Sequence, residues 1–135
     1  MEASGTFKSV TFEPMDLPAE PHFETGLPVG FVVMEKKYDG EVQGRSATWF
    51  VSAYSQSSNV GTYMALESFE GSLNGAEGAF NFAHSGTIAG SERTGEYFTI
   101  VPTSGTGGLE GIRGSGGMAI DSDGTHRVWF DYEIG

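Results

Sequence analysis

Glycine and proline interrupt this chain so often that no stretch of eleven or more residues carries apolar side chains at three-and-four spacing without one of them. A helix needs such an unbroken amphipathic stripe to bury one face, so helices are excluded as the main element and strands remain. The 21 glycines have no three-residue period, which excludes collagen, and 10 Phe, 5 Tyr and 2 Trp are too many for a solvated coil. The glycines therefore read as punctuation between strands.

Turn residues bound eight candidate strands at 6–13, 29–38, 42–54, 60–69, 78–88, 92–101, 114–120 and 125–134. The connections at 39–40, 55–59, 71–75, 89–91 and 121–124 are short enough for hairpins, which predicts an antiparallel meander, since parallel order needs longer crossovers. A turn theme recurs as Tyr38-Asp39-Gly40, Phe69-Glu70-Gly71 and Leu109-Glu110-Gly111. It reads as a large residue ending a strand, an acid bonding the turn backbone, and Gly at positive φ. The unequal spacing of the three copies argues against a solenoid or propeller repeat.

Two segments break the meander. Residues 14–28 hold four of the five prolines together with Met15, Leu17 and Phe23, too proline-rich for a strand interior and too apolar for a solvated loop. This segment is a candidate lid. The glycine-dense stretch 103–117 reads as an irregular excursion packed close to another backbone.

At 135 residues the chain is expected to form one domain, 1–135, able to bury a core without staples, and having no Cys it holds no disulfide or thiolate site. With 18 acidic against 7 basic residues, a formal charge of −11 repels nucleic acid and anionic membrane surfaces, so neither is expected as a partner. The start Met1-Glu2-Ala3-Ser4-Gly5 lacks a basic, apolar leader, and the longest apolar run, 29–34, is too short to span a bilayer, so a cytoplasmic protein is expected.

Eight antiparallel strands rich in aromatics admit a sandwich or a closed barrel, and closure removes edges. In the fourth strand Tyr63, Ala65, Glu67 and Phe69 share one face while Met64 and Leu66 take the other. Both faces are thus apolar, so an oligomer or the proline-rich loop is expected to cover part of the outer one.

Several motifs carry a family resemblance: Lys37-Tyr38-Asp39-Gly40 followed by Gly44; Tyr63-Met64-Ala65-Leu66-Glu67; Phe69-Glu70-Gly71-Ser72-Leu73; Gly78-Ala79-Phe80 running to His84-Ser85-Gly86; and Val101-Pro102-Thr103-Ser104-Gly105-Thr106-Gly107-Gly108-Leu109 through Gly111-Ile112-Arg113-Gly114. In this order they resemble the domain-of-unknown-function 3224 family of small bacterial proteins, over about residues 5–133. The resemblance implies an all-β fold, a closed eight-stranded antiparallel barrel similar to allene oxide cyclase. It implies no activity directly, but the wider barrel group includes cyclases that act by shape and a few polar groups. Thr103 departs from the pattern, where Gly is expected.

His84 follows Phe80 and Phe82 on one strand face, and Glu67 lies on the apolar face of the neighbouring strand. If both point inward they form a carboxylate–imidazole pair, with Glu67 orienting the ring or abstracting a proton at a raised pKa. A buried structural pair is the alternative. Glu35, interrupting Val29, Phe31 and Val33, is a third acid-base candidate, with strand-end solvation as the milder explanation. Tyr63, Tyr97, Trp49, Trp129, Tyr54, Phe69 and Phe82 are the expected lining of a ligand cavity, or else core. No phosphate-cradling loop, dinucleotide fingerprint or serine elbow is present, and no cofactor or metal is expected; His84, Glu67 and another acid form the single weak metal alternative. The resulting expectation is a cofactor-free isomerase, cyclase or lyase acting on a small apolar molecule. Its rivals are a non-catalytic binder and a structural oligomeric barrel with a filled interior.

Overall fold

A computed structural model describes residues 1–135 and contains strands but no helix. The strands are β1 (Glu2–Met15), β2 (Val29–Gly40), β3 (Val42–Ser55), β4 (Val60–Leu73), β5 (Ala76–Ala89), β6 (Glu92–Ile100), β7 (Thr106–Gly107), β8 (Arg113–Ile120) and β9 (His126–Glu133). All pairings are antiparallel in one sheet of order β4-β3-β2-β1-β9-β8-β6-β5-β7, and an added β4–β5 pairing closes eight of the strands into a ring. The ninth, β7, is two residues long and pairs with Gly78 and Ala79 from the side. No helix of the chain is long and apolar enough to cross a membrane.

The strands run longer than the turn residues suggest. Phe69-Glu70-Gly71, read as a turn, lies inside β4, and the β4–β5 hairpin turns instead at Asn74-Gly75, both at positive φ (50° and 85°). This is the two-residue loop that matches strand twist. Gly71 serves the strand differently: a Cβ there would stand 2.0 Å from the Gln43 carbonyl oxygen, and one on its partner Gly44 2.2 Å from that of Glu70. The two glycines let adjacent backbones approach where the sheet coils tightly.

One end of the ring is filled by Ala3, Phe7, Tyr38, Val42, Phe69, Leu73, Phe80, Phe82, Val128, Phe130 and Tyr132, all buried. Phe82 stacks on Phe98 at 5.2 Å and meets Phe130 edge-on at 5.1 Å, favoured aromatic arrangements. The 101–112 connection brings buried Leu109 and Ile112 into this core, and a Cβ on Gly78 would stand 2.0 Å from the Thr106 carbonyl oxygen, the close backbone approach expected of the glycine-dense stretch.

The other end is splayed. β1 pairs with β9 only through residues 2–7, and β6 meets β8 at a single pair, Thr99 with Ser115. A seam therefore opens between Glu92–Phe98 and Gly116–Ile120. Of the candidate lid, 14–28, Pro14 and Met15 belong to β1, and residues 16–28 lie mostly exposed and wrap a hollow lined by their own residues with Met15 and Val29, away from the buried polar residues described next.

Candidate functional site

Strand alternation puts Glu67 on the inward face of β4, one position below Ala65 and one above Phe69, where it is fully buried. A bare carboxylate there would be prohibitively unstable, so its surroundings must supply donors. Four do: His84 Nε2 at 2.6 Å and Lys36 Nζ at 2.9 Å bond Oε2, while Tyr38 Oη at 2.5 Å and Ser46 Oγ at 2.8 Å bond Oε1. A carboxylate offers about four lone-pair sites, so Glu67 is saturated. Lys36 is itself buried and sits 4.8 Å over the Phe7 ring.

These contacts reverse the raised pKa expected for Glu67. Burial pushes the carboxyl up, but the His84 bond, the Lys36 charge and the Tyr38 bond outweigh it and hold the group at about 2. Glu67 is thus held ionised, with all four of its lone-pair sites engaged. Burial, then the adjacent Glu67 charge, raise the Tyr38 phenol well above its ordinary value, so Tyr38 stays a donor.

His84 carries the arrangement outward. With Nε2 on the carboxylate, Nδ1 lies 3.1 Å from the Tyr63 hydroxyl, and Arg93 reaches that hydroxyl at 3.4 Å. Tyr63 stacks on Phe50 at 5.1 Å, and burial raises its phenol despite the opposing pull of Arg93. A small hollow of about 60 Å³ opens here into the β6–β8 seam, walled by Tyr63, His84, Arg93, Phe98, Gly116 and Met118. Its polar atoms can accept, donate and exchange a proton, and Phe98 and Met118 supply the apolar part of a mixed wall.

Of the residues singled out from sequence, Glu67, His84 and Tyr63 come together, and Phe82 packs against the His84 ring at 5.9 Å. Phe69 lies in the core below. Glu35 does not join them: the inward face of β2 is Met34, Lys36 and Tyr38, which leaves Glu35 exposed on the outside. Trp49 is exposed on the outer face against Phe31, Trp129 is packed outside against Gly117, and Tyr54 bonds Asn59 at the β3–β4 turn. Tyr97 is exposed at the seam's rim. Lys36, Tyr38, Ser46 and Arg93 were not singled out, although the parity set by Tyr38 as a strand-ending large residue already turns Lys36 inward. No three His, Asp or Glu converge at metal-binding spacing.

Comparison with known proteins identifies relatives of this chain. The sequence profile of the family "Protein of unknown function (DUF3224)" matches residues 3–132. A solved structure of a DUF3224 protein of unknown function from Shewanella oneidensis MR-1 is 26% identical and superposes with a TM-score of 0.86, over 100% of this chain and 97% of that one. No curated protein is similar enough to match. With nearly its whole length matched by the profile, the chain belongs to the DUF3224 family.

Proposed function

We propose that the eight-stranded ring is a barrel of the allene oxide cyclase kind that binds a small, largely apolar molecule and moves a proton on it without a cofactor, as an isomerase, cyclase or lyase. One observation carries this reading: His84 is held between the ionised Glu67 carboxylate and the Tyr63 hydroxyl, at the inner end of a seam open to solvent. In this reading a substrate carbonyl accepts the Tyr63 O–H. The adjacent C–H bond breaks, its proton goes to His84 Nδ1, its electrons stay on the substrate as an enolate, and the proton returns at another carbon. Glu67 fixes the ring orientation. The hollow admits only the reacting end, and the rest extends toward the splayed mouth, where Phe12, opposite Met34, stands exposed and Val32, beside Met34 on its face, partly so.

A β,γ-unsaturated ketone, cyclohex-3-enone, tests the reading because its conversion to the conjugated isomer is such a proton shift. The wild-type chain is expected to accelerate it, with His84→Ala and Tyr63→Phe each slower by about 100-fold. Full activity in His84→Ala overturns the reading. The saturation of Glu67 and the packed aromatic core beneath it favour a second reading, a non-catalytic binder, for which bound ligand is recovered unchanged. In either reading we propose that copies of the chain associate as a homo-oligomer.

A further inference from the structure

We propose that the seam between β6 and β8 is a recognition site for a small carboxylate, held by the Arg93 guanidinium and the Tyr63 hydroxyl. Only seven residues of this acidic chain are basic. Arg45 and Arg113 are each held within 2.8 Å of an exposed acid, Arg127 within 2.6 Å of the half-buried Asp121, and Lys36 is consumed by Glu67. Lys8 and Lys37 face each other across β1 and β2, with no acid bonded to either. Arg93 alone reaches the His84–Tyr63 hollow, and its acid partner, Glu96, is loosely engaged at 3.3 Å with about half its side chain exposed.

Glu96 is an internal stand-in for the ligand. It is a carboxylate, tethered three residues along the same strand, that occupies one edge of the guanidinium at the rim of the hollow. Arginine's fork suits a planar carboxylate, and a ligand that displaces Glu96 gains the Tyr63 O–H as a further donor. The walls set the size. Phe98 lies against Gly116, where a Cβ would come within 2.9 Å of its ring, so the hollow is a narrow slot of about 60 Å³. A flat three-atom group fits it; a tetrahedral phosphate meets the narrow walls. The ligand class is therefore an apolar molecule ending in one carboxylate.

This assignment rests on the ligand-binding part of the proposed function and not on proton transfer, so its test reads binding alone. Butanoate is titrated into the full chain at neutral pH, with butan-1-ol and inorganic phosphate as controls, and signals of Tyr63 and His84 are followed by NMR. Saturable butanoate binding is expected, weakened at least about tenfold in Arg93→Gln and tightened several-fold in Glu96→Gln, which removes the internal competitor without removing the fork. Tyr63→Phe is expected to weaken it less than Arg93→Gln does. Unchanged affinity in Arg93→Gln, weaker binding in Glu96→Gln, phosphate binding as tightly as butanoate, or no saturation by the wild-type chain each overturns the assignment. Arg93-dependent butanoate binding together with cyclohex-3-enone turnover that is unchanged in His84→Ala instead sinks the catalytic reading and leaves the carboxylate site standing.

Discussion

At the scale of single residues, the Glu67 cluster ties stability to acidity. Its carboxyl is held at about 2, against 4.5 for the free side chain, which corresponds to about 3 kcal/mol favouring the folded state. A carboxyl lowered by folding contributes fully above its unfolded pKa, so this contribution is present above pH 4.5 and is lost as pH falls toward about 2. Glu67→Gln is expected to lose about 3 kcal/mol at neutral pH, because Lys36 stays buried without its anion, and to flatten the acid limb of the stability curve. Urea titrations of both chains between pH 2 and 7 check this; parallel curves refute it. The Glu67–His84 pair was legible in the sequence because period-two alternation set both on apolar faces of hairpin-linked strands. Lys36 was hidden by the apolar run Val29, Phe31, Val33, which looks like an inner face but lies outside, so the acid in register with it, Glu35, drew the attention that belonged one residue on.

At the scale of strands, glycine has two uses in this chain that composition cannot separate. Asn74-Gly75 is a turn, as its residue types announce, whereas Gly44 and Gly71 sit opposite each other within strands, and only the cross-strand register reveals why no Cβ fits. Gly44 has φ +144°, and a side chain there would press on the Glu70 backbone, which is not free to swing away. Gly44→Ala is expected to cost about 2 kcal/mol or more, from strained backbone plus a shifted β3–β4 ladder. Thr103 presents the converse case. It departs from the glycine expected by family resemblance, yet its backbone holds φ +66°, a region costly for a β-branched residue. Thr103→Gly, at this exposed position, is expected to stabilise the chain by about 1 kcal/mol, the relief of strain exceeding the added freedom of the unfolded chain. Thermal unfolding of the two variants gives shifts of opposite sign if this account of the backbone holds, and a destabilised Thr103→Gly contradicts it.

For the molecule as a whole, the ring settles which apolar face is core and leaves another bare. Register aligns Phe31, Val51 and Met64 in one row across β2, β3 and β4, and Val33, Trp49 and Leu66 in the next. All six point outward as a block without a charge, and Trp49, Val51, Met64 and Leu66 remain 49%, 42%, 66% and 47% exposed. The sequence anticipated that something must cover this face and offered the proline-rich loop as one cover, but that loop encloses its own hollow and leaves the block open. Monomers seldom expose so much contiguous apolar surface. The homo-oligomer proposed above would cover it: two uncharged blocks related by a two-fold axis would meet sheet to sheet and leave the acidic residues at the rim. Each copy carries a formal charge of −11, so long-range repulsion opposes the contact and salt screens it. Sedimentation is therefore expected to find an oligomer whose dissociation constant falls as sodium chloride rises. Trp49→Glu combined with Met64→Glu, both on exposed positions, is expected to give a folded monomer at every salt concentration. A wild-type chain that sediments as a monomer at high salt, or a double variant that still associates, places the contact elsewhere or removes it.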